Sequence, residues 1–427
     1  MSIDQDKFNL VMAESQVAVD KTNKEFYGRF SYPWPPMIFP LIADPQCWTV
    51  FLNQELGDWT HSRIPCSPRI WVAGCGTNQA VFTALRFPEA DVLGTDISTQ
   101  SLAICQRSAS QLAIKNLRLE EQSLNNVTYR NEFDFIICTG VVHHNANPEI
   151  PLARLGEALR PGGVIEIMVY NYFHRTLTAA YQMAIRHLFS GDVAADMDTQ
   201  LAMTRRLIDK FPLTNTMSEF LREYKDDPEI ALADAFLQPV EHSYTVESMG
   251  QLLKNAGLEF WLPCLNQFDK AAHRGAWNLE FEDERVARKY DALPDVERWQ
   301  ITNLLSVETS PMLWFYAQRR DSPFNRKSEN EVCQDFLKIK FDRYSTTVTN
   351  YHVSQEGYRL DPTPIPYPSP RIPRDETARS VFTAVDPKKT LGEVLQSLSI
   401  QPAFHLVNRI RTLLTTPLFP YLKAVAQ

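Results

Sequence analysis

From Arg69 onward, short apolar runs alternate with longer amphipathic stretches: RIWVAGCG, NQAVFTALRFP, ADVLGTDIS and SLAICQRSASQLAI follow one another with little between them. A short apolar run bounded by turn residues reads as a buried strand, and a longer periodic one as a helix. The order therefore predicts βαβ units around a parallel sheet. NLRLEEQSL, FDFIICTG and VIEIMVY continue the series, with Pro161, Gly162 and Gly163 ending a helix and opening the last strand. From 175 to 240 the pattern turns helical (RTLTAAYQMAIRHLF, TQLAMTRRLIDKF, MSEFLREYKDD), which predicts a helical insertion over the functional edge of the sheet. YTVESMGQLLKNAGLEFWLP then reads as helix into strand and PMLWFYAQRR as a closing strand, so the sheet domain is expected to end near Arg320.

Residues 1–68 read as a helical cap broken by the aromatic and proline cluster FYGRFSYPWPP, from Phe26 to Pro36. Residues 321–374 read as a connector, because 361–373 holds six prolines (Pro362, Pro364, Pro366, Pro368, Pro370 and Pro373) that favour a stiff extended chain. Residues 375–427 are expected to form a small, mostly helical C-terminal unit. The fold class is thus α/β, a Rossmann-like sheet over 69–320 with a helical lid at 175–240.

Composition narrows the function classes. Hydrophobic residues at 44% and charged residues at 22% describe an ordinary globular chain. A net charge of −8, with no basic stripe to override it, argues against a nucleic-acid partner. The seven cysteines have no CxxC spacing, so neither a zinc site nor a disulfide framework is expected, and reduced thiols in a cytoplasmic protein fit them. The start MSIDQDKFNL lacks a signal-peptide pattern, and no apolar run reaches the roughly 18 residues a spanning helix needs, so no membrane association is expected.

The strongest chemical signal is VAGCGTN, residues 72–78, followed by VLGTDIS, whose Asp96 lies twenty residues beyond Gly76. Glycines at 74 and 76 let the backbone turn sharply and approach a ligand without a Cβ. An acid ending the second strand can accept two hydrogen bonds from a ribose. The plain alternative is a tight turn in an α/β sheet with Asp96 as a helix cap. Position 79 is Gln where a dinucleotide loop takes a small residue, so Gln79 and Asn78 would obstruct a pyrophosphate and could instead hydrogen-bond an amino acid carboxylate.

With these residues in place, AGCGTNQA, LGTDIS, FDFIICTGVVHH and LRPGGVIEIMVY resemble, in order and spacing, the successive motifs of the class I S-adenosylmethionine-dependent methyltransferases. The resemblance covers about 69–171 and extends less specifically, through DAFLQPVEHSYTVESMGQLLKNAGLEF, to about 320. It implies S-adenosylmethionine as cofactor. By motif position, Gly74, Gly76 and Asn78 border the methionine moiety and Asp96 and Ile97 hold the ribose and adenine. Thr139, Gly140 and Val141 line the cofactor beyond the fourth strand. The chain departs from the family pattern at Ala73, where a carboxylate commonly begins the loop motif, and at Ser123, where an Asp often meets the adenine amino group and where the serine hydroxyl is expected to hydrogen-bond adenine in its place.

Candidate catalytic groups are His144 and His143, expected at the carboxyl edge of the sheet where a histidine can act as a base near neutral pH, and Tyr27. Structural histidines and an aromatic core are the bland counterparts. Tyr32, Tyr170, His174, His242 and Tyr244 are candidates for the acceptor pocket, with Asp234 in the same region and Asn171 beside Tyr170. Glu166, inside VIEIMVY, is expected on a solvated face. No metal is called for. The expected function is methyl transfer to oxygen or nitrogen of a small-molecule acceptor. A protein or peptide acceptor docked by the C-terminal unit is the alternative, and a non-catalytic cofactor-binding regulator a second one.

Overall fold

In the computed structural model the described residues are 16–33, 38–189, 196–265, 277–354, 357–368 and 375–425. Residues 1–15 of the expected cap, 34–36 of the aromatic cluster, 190–195 of the insertion and Pro370 and Pro373 of the proline run lie outside them.

The alternating apolar runs form one sheet: β1 (Arg69–Ala73), β2 (Asp91–Asp96), β3 (Leu117–Glu121), β4 (Phe133–Thr139), β5 (Leu159–Asn171), β6 (Leu258–Pro263) and β7 (Leu313–Arg319). Their spatial order is β3-β2-β1-β4-β5-β7-β6, and the two-residue strand Ser243–Tyr244 pairs with β5 off this path. β1 to β5 run parallel, while β7 lies antiparallel between β5 and β6. Helices on both faces explain why β1 and β4 are apolar almost throughout. The order reverses beside β1, so the switch point falls at the carboxyl ends of β1 and β4, where open α/β sheets bind ligands.

The helices that matter for the site are α1 (Gln16–Arg29), α2 (Cys47–Glu55), α3 (Gln79–Arg86), α4 (Thr99–Gln111) and α5 (Glu149–Ala158). The insertion follows as α6 (Tyr172–Phe189), α7 (Met197–Asp209), α8 (Thr216–Glu223) and α9 (Glu229–Phe236), with α10 (Val246–Asn255) returning to the sheet. α1 joins the insertion: Phe26 and Phe30 share a core with Tyr181, Ile185, Leu232 and Phe236. Arg175 ties this layer to the sheet edge through a bidentate, buried pair with Glu241, Nε to Oε1 at 2.7 Å and Nη2 to Oε2 at 2.6 Å.

The ends of the chain depart from the sequence expectation. All nine residues of α2 are buried, and it packs on the C-terminal unit rather than capping the sheet with α1. The segment 321–374 is not a bare connector. It carries a capped helix, Glu329–Phe336, and the strands Phe341–Arg343 and Thr346–Thr349. Its proline run contributes Ile365–Tyr367 as an edge strand on Thr346–Thr349. Prolines are tolerated there because an edge strand leaves one row of backbone groups unpaired. Phe51, Trp59, Phe336, Phe341, Ile410 and Leu422 form one core with Val72 and Phe135 of the sheet. The C-terminal unit is mostly helical, and its packing makes it an integral wall of the molecule.

Candidate active site

A cavity of about 340 Å³ opens at the switch point and runs inward along one face of the sheet. Its outer end is built by the β1–α3 loop. Gly74 and Gly76 adopt φ of +73° and +55°. A Cβ on Gly74 would meet Val141 Cγ2 at 2.4 Å, and one on Gly76 would meet the Tyr32 carbonyl oxygen at 2.6 Å. Both positions therefore require glycine for space as well as for φ. The Thr95 carbonyl accepts from Gly74 N and Cys75 N, each at 2.8 Å, which pins the loop to β2.

Asp96 organises this end. Oδ2 accepts from Gly76 N and Oδ1 from Ser98 N, both at 2.8 Å, leaving one lone-pair direction on each oxygen. Burial raises its pKa, and the backbone N–H bonds oppose the rise. Ser98, not Asp96, caps α4, accepting from Ser101 N, so the reading of Asp96 as a helix cap fails. Ile97, Thr139, Gly140 and Val141 line the same end. So do Asn78, the N-cap of α3, and Gln79, whose Nε2 donates to Thr139 Oγ1 at 2.7 Å across the mouth of that helix, over the place a pyrophosphate would need.

Ser123 also lines the cavity, but its hydroxyl donates to Asp20 Oδ2 at 2.5 Å, while Asn125 Nδ2 donates to Asp20 Oδ1 at 3.1 Å. An acid thus reaches the position where the family pattern places one, from α1 and over a hundred residues away in sequence. Asn23, on the same helix, donates to the His144 carbonyl at 2.8 Å and holds its own Oδ1 buried without a partner. Neither residue was legible as a site residue, because α1 has no motif of its own.

The structure separates the catalytic candidates. His144 lines the cavity, yet its Nδ1–H donates to the Val240 carbonyl at 2.8 Å and its pKa is pushed down to about 4, first by burial, against the pull of Glu241. It is a neutral imidazole at pH 7 and a weak base. His143 does not line the cavity. Its ring lies against Tyr170 with centroids 3.9 Å apart, and burial drives its pKa well down. Tyr27 is a wall: its hydroxyl accepts from Gln238 Nε2 at 3.0 Å, and burial holds the phenol neutral.

Tyr32 and Tyr170 line the cavity. His174, His242 and Tyr244 do not. His174 is half-buried in the first turn of α6, His242 Nε2 donates to the Asn145 carbonyl at 3.0 Å, and Tyr244 packs against the core on the other face of the sheet. Asn171 is buried and donates to Ser310 and the Pro311 carbonyl. Asp234 lines the cavity and accepts from Gln238 Nε2 at 3.1 Å, and burial lifts its pKa to about 6.

The inner lobe was not anticipated. On β5, Glu166, Met168 and Tyr170 alternate with the fully buried Ile165, Ile167 and Val169, so one face of this strand lines the cavity from floor to mouth, about 13 Å over four residues. Glu166 is therefore not on a solvated face: the area it exposes is cavity wall, Trp314 Nε1 donates to its Oε1 at 2.9 Å, and burial raises its pKa. Opposite stand Phe82, Thr83 and Arg86 of α3 and Trp48, Leu52 and Glu55 of α2, with Pro417 and Leu418 of the C-terminal unit closing the side. Glu55 accepts from Tyr316 OH at 2.9 Å and Leu265 N at 2.8 Å, and burial pushes it up to about 8, so it is a neutral acid at pH 7. Among the described residues there is no cluster of three or more His, Cys, Asp or Glu fit to hold a metal, and no helix is long and apolar enough to cross a membrane.

Residues 73–231 match the family described as "Methyltransferase domain". An uncharacterized protein of Synechococcus is 28% identical over 257 residues, 58% of this chain and 60% of that protein. A trans-aconitate 2-methyltransferase of Deinococcus radiodurans is 39% identical over 111 residues, 25% of this chain and 41% of that enzyme. The chain thus spans less than two thirds of the length of these relatives. Among solved structures, PKMT2 from Rickettsia typhi in complex with AdoHcy superposes with a TM-score of 0.56 over 92% of this chain and 77% of that one, at 17% identity, a likeness of fold.

Proposed function

We propose that the protein, whose residues 73–231 match a methyltransferase domain, is a class I S-adenosylmethionine-dependent methyltransferase that transfers a methyl group to an oxygen or nitrogen atom of a small molecule held inside it. The observation that carries this reading is the continuity of the cavity. An end shaped for a nucleoside opens directly into an aromatic lobe deep in the molecule, and the volume falls in the range of small-ligand sites.

The outer end suits the cofactor. Gly74 and Gly76 clear the backbone for close approach, Asp96 keeps lone pairs for ribose hydroxyls, and the orphaned Oδ1 of Asn23 and the carboxylate of Asp20 offer acceptors for amino groups. When bound, S-adenosylmethionine supplies a methyl group already activated by its sulfonium charge. What remains for the chain is to align and to desolvate, which together supply several kcal/mol, up to about 7–11 kcal/mol when the reacting atoms are held in line. Tyr27, Tyr32 and Tyr170 wall off water, and the α6–α9 layer holds α1 over the loop.

Asp234 is the proton acceptor in this reading. It lines the cavity, and a carboxyl lifted to about 6 is ionised at neutral pH and basic enough to take a proton from the acceptor atom as that atom gains the methyl group. His144, held near 4, orients through its hydrogen bonds. The test is label transfer from methyl-labelled S-adenosylmethionine to fractionated cell extract. Label in the small-molecule fraction supports the reading. Label confined to protein would transfer the function to a protein side chain, and tight binding of AdoHcy without label transfer to any fraction would make the chain a cofactor-binding regulator.

A further inference from the structure

At the floor of the inner lobe sits a cation whose buried Nε has no hydrogen-bond acceptor. Arg86 ends α3, and its guanidinium lies over the rings of Phe39 at 3.5 Å and Trp48 at 4.3 Å from their centroids. Stacking engages the faces of the guanidinium and leaves its N–H edge to be satisfied in plane. That edge is unsatisfied. Nε is buried without an acceptor, and among the described residues Arg86 forms no ion pair, although Glu166 faces the same lobe and accepts from Trp314 instead. Trp48 Nε1 is a second buried donor without an acceptor, on a residue that lines the same lobe. Buried donors almost always have partners, and although the Glu166 carboxylate attracts Arg86 through space, it leaves the N–H edge of the guanidinium without an acceptor. Glu55, the other carboxyl of the lobe, is held by Tyr316 and Leu265 instead.

Position fixes the direction in which a ligand must lie. Gln79, at the cofactor loop, and Arg86 are seven residues apart on one face of α3, about 10 Å along the helix. The walls between them are rings: Phe82 and Phe87 on one side, Phe135, Trp314 and Tyr316 on the other.

We propose that the inner lobe is the acceptor pocket for a small aromatic carboxylic acid, whose carboxylate is anchored by Arg86 with Trp48 and whose methylated atom lies at the opposite end, beside the cofactor. This rests on the function proposed above and adds the substrate class. It follows that the product is an ether or N-methyl compound that keeps its free carboxylate, not an ester.

The test measures binding to the full chain saturated with S-adenosylhomocysteine, using 4-hydroxycinnamate, 4-hydroxybenzoate and anthranilate beside their primary amides. The expected result is at least tenfold tighter binding of one or more acids than of the matching amide. In Arg86→Met that preference disappears while S-adenosylhomocysteine affinity is unchanged. The wild-type comparison of acid with amide stands even if that variant fails to fold, and Arg86→Lys, which keeps the charge without the planar fork, is expected to retain a reduced preference. Equal binding of acids and amides, a preference that survives in Arg86→Met, or no binding by any of the six compounds overturns the proposal. Failure of the wild type to bind S-adenosylhomocysteine overturns the methyltransferase reading itself.

Discussion

The two ends of the cavity are built in opposite ways. The outer end is made largely by short stretches, 74–76 with 78–79, 96–97, 122–124, and 139–141 with 144–145, each at the carboxyl end of a strand. The inner lobe takes single residues from α2, α3, β4, β5, β7 and the loop after the last helix, so that Glu55 and Leu418 meet across most of the chain. A site held by backbone geometry needs short motifs because the loop, the glycine and the acid must be adjacent to act together. A site made of side chains on packed elements needs only that those elements pack.

The most severe perturbation removes the C-terminal unit together with the helix and strands just before it. A chain ending before Glu329 exposes Phe51, Trp59 and the face of α2 that packs on the C-terminal helix, and is expected to lose soluble, cooperatively folding protein, because even a single large core truncation costs about 2–5 kcal/mol. Gel filtration and thermal melts check this. A folded, cofactor-binding truncated chain would show that the inner wall is a separable module. At the outer end, Asp96→Ala is expected to weaken cofactor binding by about 1–3 kcal/mol, read by calorimetry with AdoHcy, with acceptor-side binding unchanged. Unchanged cofactor affinity would mean that Asp96 serves only the Gly76 and Ser98 backbone.

Glu55 offers a pH signature of the inner lobe. Its carboxyl is raised from an ordinary 4.5 to about 8, so between those values the folded chain holds a proton that the unfolded chain has lost. Stability from this group is full below pH 4.5, falls by about 1.4 kcal/mol per pH unit as pH rises toward 8, and is flat beyond. In Glu55→Gln that part of the decline should be missing from urea midpoints measured between pH 5 and 8. Parallel slopes in the two proteins would show that Glu55 ionises freely.

The smallest effect is expected where the two ends meet. In His144→Asn, whose amide can replace Nδ1–H toward Val240, the methyl-transfer rate should change by one factor, under about tenfold, at every pH from 6 to 9. Asp234→Asn should instead remove the limb of the pH–rate profile near 6. Loss of a limb near 7 in the histidine variant would return the base to His144.

The parallel sheet, the insertion, the glycine loop and Asp96 at the end of β2 were legible in the chain alone, because apolar runs, positive-φ glycines and strand-terminal acids are local features whose meaning survives without neighbours. A trace of the inner lobe was also present: Gln79, Phe82, Thr83 and Arg86 repeat at helical spacing, which places an amide and a guanidinium on one face of α3. Tertiary structure alone decided the rest. It brought Asp20 to Ser123, drew α2 to the C-terminal unit and closed the proline run into a sheet edge. It also set the histidines' chemistry, since a ring's pKa depends on how much water packing removes and on which carbonyl meets its N–H, neither of which is written next to it in the chain.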